Sequence, residues 1–311
     1  MKRFTSIAAL AAFLLTATAC GDDSSSSETA APTTDVATTD VATTDVATTE
    51  PVGDVPQAII SLSPTATEML FAIGAGDQVI AVDEYSNYPA EALDKPHDLS
   101  GFEPNVEAIA ALEPDLVIMQ DNKIQEQLES LGIAVWVGLA AASFDDVYAQ
   151  IEQLGAVTGH IGEAAELVGS MQSDIAAAVA AVPTRAAELT YYHEIDPTLY
   201  SVTSTSFIGE VYGLFGLVNI ADDAQPGNDY PQLNPEFIVE ANPALIFLAD
   251  TKCCGETPET VAARPGWDAI AAVQNGGVIA MDDDIASRWG PRIVDFITAV
   301  SAAVAAASVE A

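Results

Sequence analysis

The sequence predicts an α/β fold of two pseudo-equivalent lobes with mostly parallel central sheets, joined by one long helix. Three observations carry that expectation. Short apolar strands alternate with helices on both sides of residue 160. An Ala-rich stretch of helical periodicity, Ser143 to Val182, lies between the two alternating regions. A phrase is also repeated at a constant separation of 129 residues: "NVEAIAALEPDLVI" from Asn105 and "NPEFIVEANPALIF" from Asn234. The pairs are Asn105/Asn234, Glu107/Glu236, Ile109/Ile238 and Pro114/Pro243.

In the first alternating region, "QAIISLS" reads as a buried strand. "PTATEMLFAIGAG" reads as a helix, with Thr65 and Glu68 at capping-box spacing and Gly74 and Gly76 closing it. "QVIAV" is a second strand. Val106 to Leu112 is helical, "PDLVIMQ" a strand, "KIQEQLESLGI" a helix and "AVWVG" a strand. From Gly162 to Val182 a single helix of about 20 residues would span about 30 Å, with Pro183 ending it. The second region predicts strands at "ELTYYHE", "TLYSV", "ALIFLAD" and "GVIAM". Helices are predicted at "SFIGEVYGLFG", "PEFIVEA" and "GWDAIAAVQNG", with a closing helix from Pro291 to Val304. Trp136 and Phe247 fall inside strands and are assigned to the core.

Ahead of the folded part, Lys2 and Arg3 precede an apolar run, Ile7 to Leu15, that is too short to span a membrane. "ATAC" then ends on Cys20, as in a lipoprotein box, although Ala17 stands where Leu or Val is more usual. The plainer alternative is a secretory peptide with an incidental Cys. Residues 21–54 are rich in Ser, Thr and Asp, with "TTDVA" recurring, and have almost nothing to bury. The expected organisation is therefore a signal peptide at 1–20, a disordered tether at 21–54, an N-terminal lobe at 55–160, an interlobe helix at 161–183 and a C-terminal lobe at 184–311. The expected location is outside the cytoplasm, in the periplasm or at the cell surface, with a lipid anchor on Cys20 as the sole membrane attachment.

Of the 311 residues, 46 are acidic and 9 basic. Phosphate backbones need clustered Lys and Arg, so nucleic acid is excluded as a partner. An acidic, Lys-poor surface instead favours solubility, including in high salt. Catalytic signatures are missing: no GxSxG elbow, no P-loop and no GxGxxG after a strand. His97, His160 and His193 lack metal-ligand spacing. Cys253 and Cys254 are adjacent in "TKCCGET". A bond between them closes an eight-membered ring, and strain makes a disulfide easier to reduce. A vicinal disulfide, two thiols and a soft-metal ligand pair all remain open, as does a thiol/disulfide redox protein built on them.

In parallel α/β sheets, ligand crevices lie outside the carboxyl ends of the strands. Loop position then selects Tyr85, Tyr88, Phe102, Tyr200, Phe207, Tyr230 and Trp289 as candidate ligand contacts. Aromatic rings offer large contact area at low entropic cost; core packing is the alternative for each. Arg288, Arg292 and Lys252 stand out because cations are scarce. Each is either a donor to an anionic ligand or a salt-bridge partner.

The ordered series "IISLSPTATEMLFAIGAGDQVIAVDEYSNYP", "NVEAIAALEPDLVI", "SLGIAV", "NPEFIVEANPALIF" and "SRWGPRIVD" resembles the substrate-binding proteins of cobalamin and ferric-siderophore ABC importers. The resemblance runs from Ala58 to about Ala303. It implies a binding protein, not an enzyme. Such a protein captures an iron–siderophore or corrinoid between its lobes and hands it to ABC permease subunits driven by their ATPase. A heme receptor of the same type is the alternative. The resemblance implies no resident metal or cofactor, since metal arrives within the cargo, and a monomer is expected. It also implies that Glu107 and Glu236, one per lobe, dock onto permease arginines; otherwise both are solvated helix carboxylates. At the end of the first lobe's core strand the cobalamin-binding members carry an aromatic, where this chain has Gln120.

Overall fold

The structure, a computed structural model, describes residues 55–185 and 187–307. The expected signal peptide, Cys20 and the tether lie outside the described residues.

The first lobe runs β1 (Ile59–Leu62), α1 (Pro64–Ala72), β2 (Val79–Val82), α2 (Val106–Ala110), β3 (Leu116–Met119), α3 (Gln125–Ser130), β4 (Ala134–Val137) and α4 (Phe144–Thr158). Helix α5 (Ile161–Ala180) follows. The second lobe runs β5 (Thr190–Glu194), α6 (Phe207–Gly213), β6 (Val218–Asn219), α7 (Pro235–Ala241), β7 (Leu245–Leu248), α8 (Thr251–Cys254), α9 (Pro258–Ala262), α10 (Ala271–Gln274), β8 (Val278–Ala280), α11 (Asp283–Ser287) and α12 (Ile293–Ala307). All strand pairs are parallel, and the two sheets share one order, β2-β1-β3-β4 and β6-β5-β7-β8. The central strands IISL, LVIM and LIFL are buried along their whole length, as both faces of a parallel sheet require.

The repeated phrase folds the same way twice. Asn105 and Asn234 each cap a helix, accepting the amide of the third residue on, Ala108 at 3.1 Å and Phe237 at 2.7 Å. Ile109 and Ile238 are fully buried. Each helix is left through a residue with left-handed backbone, Glu113 (φ 51°) and Asn242 (φ 49°), before Pro114 and Pro243. Then Asp115 and Ala244 donate backbone amides to Ala58 and Thr190, bringing β3 beside β1 and β7 beside β5.

Period-two alternation divides the core. Ile59 and Ile118 from the first sheet join Tyr191, Leu245 and Phe247 from the second in one cluster, which also takes in α1, α4, α5 and α12. Their neighbours Ile60, Val117 and Met119 pack under Ile109 and Leu128, and Tyr192, Ile246 and Leu248 pack under Ile238 and Trp267. The two lobes thus share one apolar core. Helix α5 packs on α4 of the first lobe and α12 of the second. Gly155 permits the α4 approach: a Cβ there would collide with that of Ala164. Gly159, with φ 79°, separates α4 from α5. As expected from sequence, Phe247 is in the core; Trp136 is half-buried against it.

Two local expectations fail. "TLYSV" is not a strand of the sheet: Tyr200 makes an isolated antiparallel bridge to Gln232. The edge position goes to β6, two residues long and too short to leave a periodic signal. Thr65 and Glu68 form no capping box. Ser63 is the N-cap of α1, and Glu68 faces inward from the helix.

Candidate functional site

At the carboxyl end of β2 the chain turns on Asp83, whose carboxylate accepts the Tyr85 amide at 3.2 Å. Glu84 then holds the neighbouring loop, accepting the Ser100 hydroxyl at 2.9 Å and the Gly101 amide at 3.1 Å. These contacts set Tyr85 and Phe102 edge to face, with centroids 5.6 Å apart. Both rings are exposed, 51% and 60%. Tyr88 is exposed on one side, and its ring lies 4.2 Å from the Arg292 guanidinium. Gln120 is half-buried one residue beyond β3.

The second lobe presents a matching edge. Ser201 donates to Pro231 at 2.9 Å and Leu233 to Leu199 at 3.0 Å, so Tyr200 and Tyr230 lie on one antiparallel ribbon. They are 40% and 50% exposed. A polar pocket of about 400 Å³ adjoins Tyr230, lined in part by Thr203, Thr205, Asp222 and Asp229.

Other candidates are placed differently. Phe207 is buried against Phe144, centroids 5.5 Å apart, because it opens α6 on the side facing α4. Trp289 is half-buried against the shared core, and its indole donates to Gln150 at 3.2 Å. Both terminal nitrogens of Arg288 are taken up by protein partners. Nη1 meets Glu68 at 2.9 Å and Asn87 at 3.1 Å; Nη2 meets the Tyr85 carbonyl at 3.0 Å and Asp284 at 2.7 Å. Arg292 closes on the same Glu68 at 2.6 and 2.9 Å. Asn87 also donates to Asp284 at 3.0 Å. These residues belong to an ionic bridge between α1 and the segment joining α11 to α12. Lys252 is exposed, yet paired with Asp282 at 2.6 Å and Asp284 at 3.2 Å.

Beneath the second edge lies a buried acid group that the sequence reading missed. Glu194, the last residue of β5, takes Arg264 as a bidentate partner, 2.6 Å on one side. Glu256 accepts the same guanidinium at 2.9 Å. Asp250, just beyond β7, is fully buried. Burial first, then the neighbouring Glu194 and Glu256, raise its carboxyl to about 7, against an opposing pull from Arg264. His193, on β5, is neutral: burial lowers it to about 3, and its Nδ1 lies 2.7 Å from the Tyr212 hydroxyl. Among the described residues no group of three or more His, Cys, Asp or Glu is arranged to hold a metal ion.

Directly after Asp250, α8 carries Cys253 and Cys254 joined through sulfur, both exposed. Glu107 and Glu236 sit in the first turns of α2 and α7, exposed and free of ion pairs among the described residues.

Two like α/β lobes on one shared core, with exposed aromatics at their strand ends, have the architecture of a solute-binding protein of the two-lobed type. The chain belongs to the periplasmic binding protein family, whose model matches residues 59–285. It is 33% identical over 250 residues to an ABC transporter substrate-binding lipoprotein, YvrC, of Bacillus subtilis, covering 77% of each chain. It is 30% identical over 250 residues to a cobalamin-binding protein of Halobacterium salinarum, covering 77% of this chain and 67% of that one. The solved periplasmic vitamin B12 binding protein of Vibrio cholerae superimposes with a TM-score of 0.67 at 27% identity, over 81% of this chain and 98% of that one.

Proposed function

We propose that this protein captures a corrinoid or an iron–siderophore outside the cytoplasm and delivers it to an ABC importer. The observation that carries the reading is the pair of exposed aromatic edges, Tyr85 with Phe102 and Tyr200 with Tyr230, at the carboxyl ends of two sheets of identical order. Such edges suit a large amphipathic ring or chelate. Kinship with cobalamin-binding relatives favours a corrinoid in this reading. Tyr88 and Lys252 serve as lesser contacts. The metal travels within the cargo and no cofactor resides in the protein.

In this reading Cys20 carries the lipid anchor and residues 21–54 form the tether. Residues 55–160 and 184–311 act as the two lobes and 161–183 as the helix between them. The protein works as a monomer, and Glu107 and Glu236 meet the permease. The experiment is a tryptophan-quench titration with cyanocobalamin, several ferric siderophores and heme. Saturable micromolar or tighter binding of a corrinoid or siderophore is expected. A Soret shift with heme alone would move the assignment to a heme receptor. No response to any of them would overturn the transport reading.

A further inference from the structure

We propose that Cys253–Cys254 is a thiol–disulfide exchange site through which an extracytoplasmic dithiol reductant loosens the contact between the two lobes. Both cysteines are exposed at the surface of α8, so a donor thiolate can reach either sulfur. Their Cα atoms are 3.8 Å apart, shorter than the 4.4–6.8 Å that an ordinary disulfide spans. Adjacency therefore makes the bond strained, and strained exposed disulfides are the readily reduced ones.

The chemistry balances with a dithiol donor. One donor thiolate attacks Sγ of one cysteine; the Sγ–Sγ bond breaks and the other cysteine leaves as a thiolate, which takes a proton. The second donor thiol then resolves the mixed disulfide. Two electrons and two protons end on Cys253 and Cys254, and the donor departs as its own disulfide.

The same turn is tied to the ionic bridge. Asp283 accepts the amides of Lys252 at 3.0 Å and Cys253 at 2.8 Å and the Thr251 hydroxyl at 3.0 Å. The next residue, Asp284, accepts from Lys252 at 3.2 Å, from Arg288 at 2.7 Å and from Asn87 of the first lobe at 3.0 Å. Arg288 in turn holds the Tyr85 carbonyl. A closed ring keeps consecutive side chains of α8 in one geometry and its amides aimed at Asp283. Opening the ring releases that geometry, and the hold passes through Asp283 and Asp284 to Arg288 and Tyr85. Contiguous hydrogen-bonded contacts of this kind can carry coupling between sites. The exchange chemistry stands on the geometry alone; its effect on cargo rests on the transport reading above.

The test uses the full chain with dithiothreitol as the probe. Alkylation and mass analysis of the peptide holding residues 252–264 should count no free thiols before reduction and two after, without a singly labelled species. Two free thiols before reduction would overturn the site. Amide exchange at residues 83–88 and 283–292 should run at least threefold faster after reduction. The Cys253→Ser/Cys254→Ser variant should show the fast pattern with or without dithiothreitol. Unchanged exchange at residues 83–88 on reduction would overturn the coupling. Cyanocobalamin affinity should differ at least threefold between the two redox forms, and equal affinity would overturn the effect on cargo. Cyanocobalamin binding neither form, with exchange still responding, would count against its role as cargo and leave the redox site supported.

Discussion

Arg288, ahead of the closing helix, and Glu68, in the first helix of the fold, meet at 2.9 Å across 220 residues of chain. Arg292 takes the same carboxylate at 2.6 Å, and the Glu68 side chain is only 1% exposed. One buried anion thus anchors two cations between the lobes. Removing one partner of a buried ion pair strands the other charge, at a cost of about 3–5 kcal/mol. Glu68→Ala is expected to lose that much in chemical denaturation. Asp121→Asn, which breaks the surface pair with Lys123 at 2.7 Å, should change stability by less than about 1 kcal/mol. A loss below 1 kcal/mol for Glu68→Ala would show that the bridge bears no weight.

Asp250 makes stability depend on pH in an unusual direction. Its folded-state carboxyl is raised to about 7, by burial first and then by Glu194. The folded state therefore holds a proton that the unfolded chain has released. Its contribution is complete below the ordinary carboxylate value near 3.8 and is lost as pH rises through about 7. Between pH 5.5 and 8 this group alone should cost about 2 kcal/mol. Asp250→Asn keeps the shape without the charge and should flatten that part of the profile. An equal loss of stability between pH 5.5 and 8 for the two proteins, read by urea denaturation, would refute the assignment.

Most of the architecture was legible because the repeated phrase is made of local signals. The Asn caps, the buried Ile and the Pro each leave a mark at a set spacing, and together they place α2–β3 and α7–β7. What stayed hidden is the pairing between distant segments. Glu68 read as a capping residue because Thr65 lies three positions earlier; only the folded chain brings Arg288 and Arg292 against it. Tyr85, Phe102, Tyr200 and Tyr230 were found from loop position and are exposed. Phe207 satisfied the same rule and is buried, since loop position says nothing about which way the first residue of a helix turns. Arg264 and Asp250 drew no attention, although with 9 basic residues among 46 acids every arginine was a place to look for a buried carboxylate.

Glu107 and Glu236 stand at equivalent first-turn positions, each one residue into its helix from a matching Asn-capped start. Neither makes an ion pair among the described residues, so replacing both should leave the thermal midpoint within about 2 °C, as for surface substitutions away from special features. If they dock the permease, the Glu107→Ala/Glu236→Ala protein should bind cargo normally and fail to stimulate the importer's ATPase. Full stimulation by the double variant would sink the docking role.

Aromatic substitutions separate a binding edge from a core. Phe207 packs on Phe144 inside the cluster shared by both lobes, so Phe207→Ala removes buried surface and leaves a cavity. About 3 kcal/mol of stability should go with it. Tyr230 is half in solvent on the ribbon beside Tyr200, and Tyr230→Ala should alter stability by no more than about 0.5 kcal/mol. Its effect belongs on binding: loss of one stacked ring should weaken cargo affinity about tenfold, near 1.4 kcal/mol. Stability and affinity thus move independently at the two positions. A Tyr230→Ala protein that is unstable yet binds at full strength would place this residue with the core and take the aromatic edge out of the site.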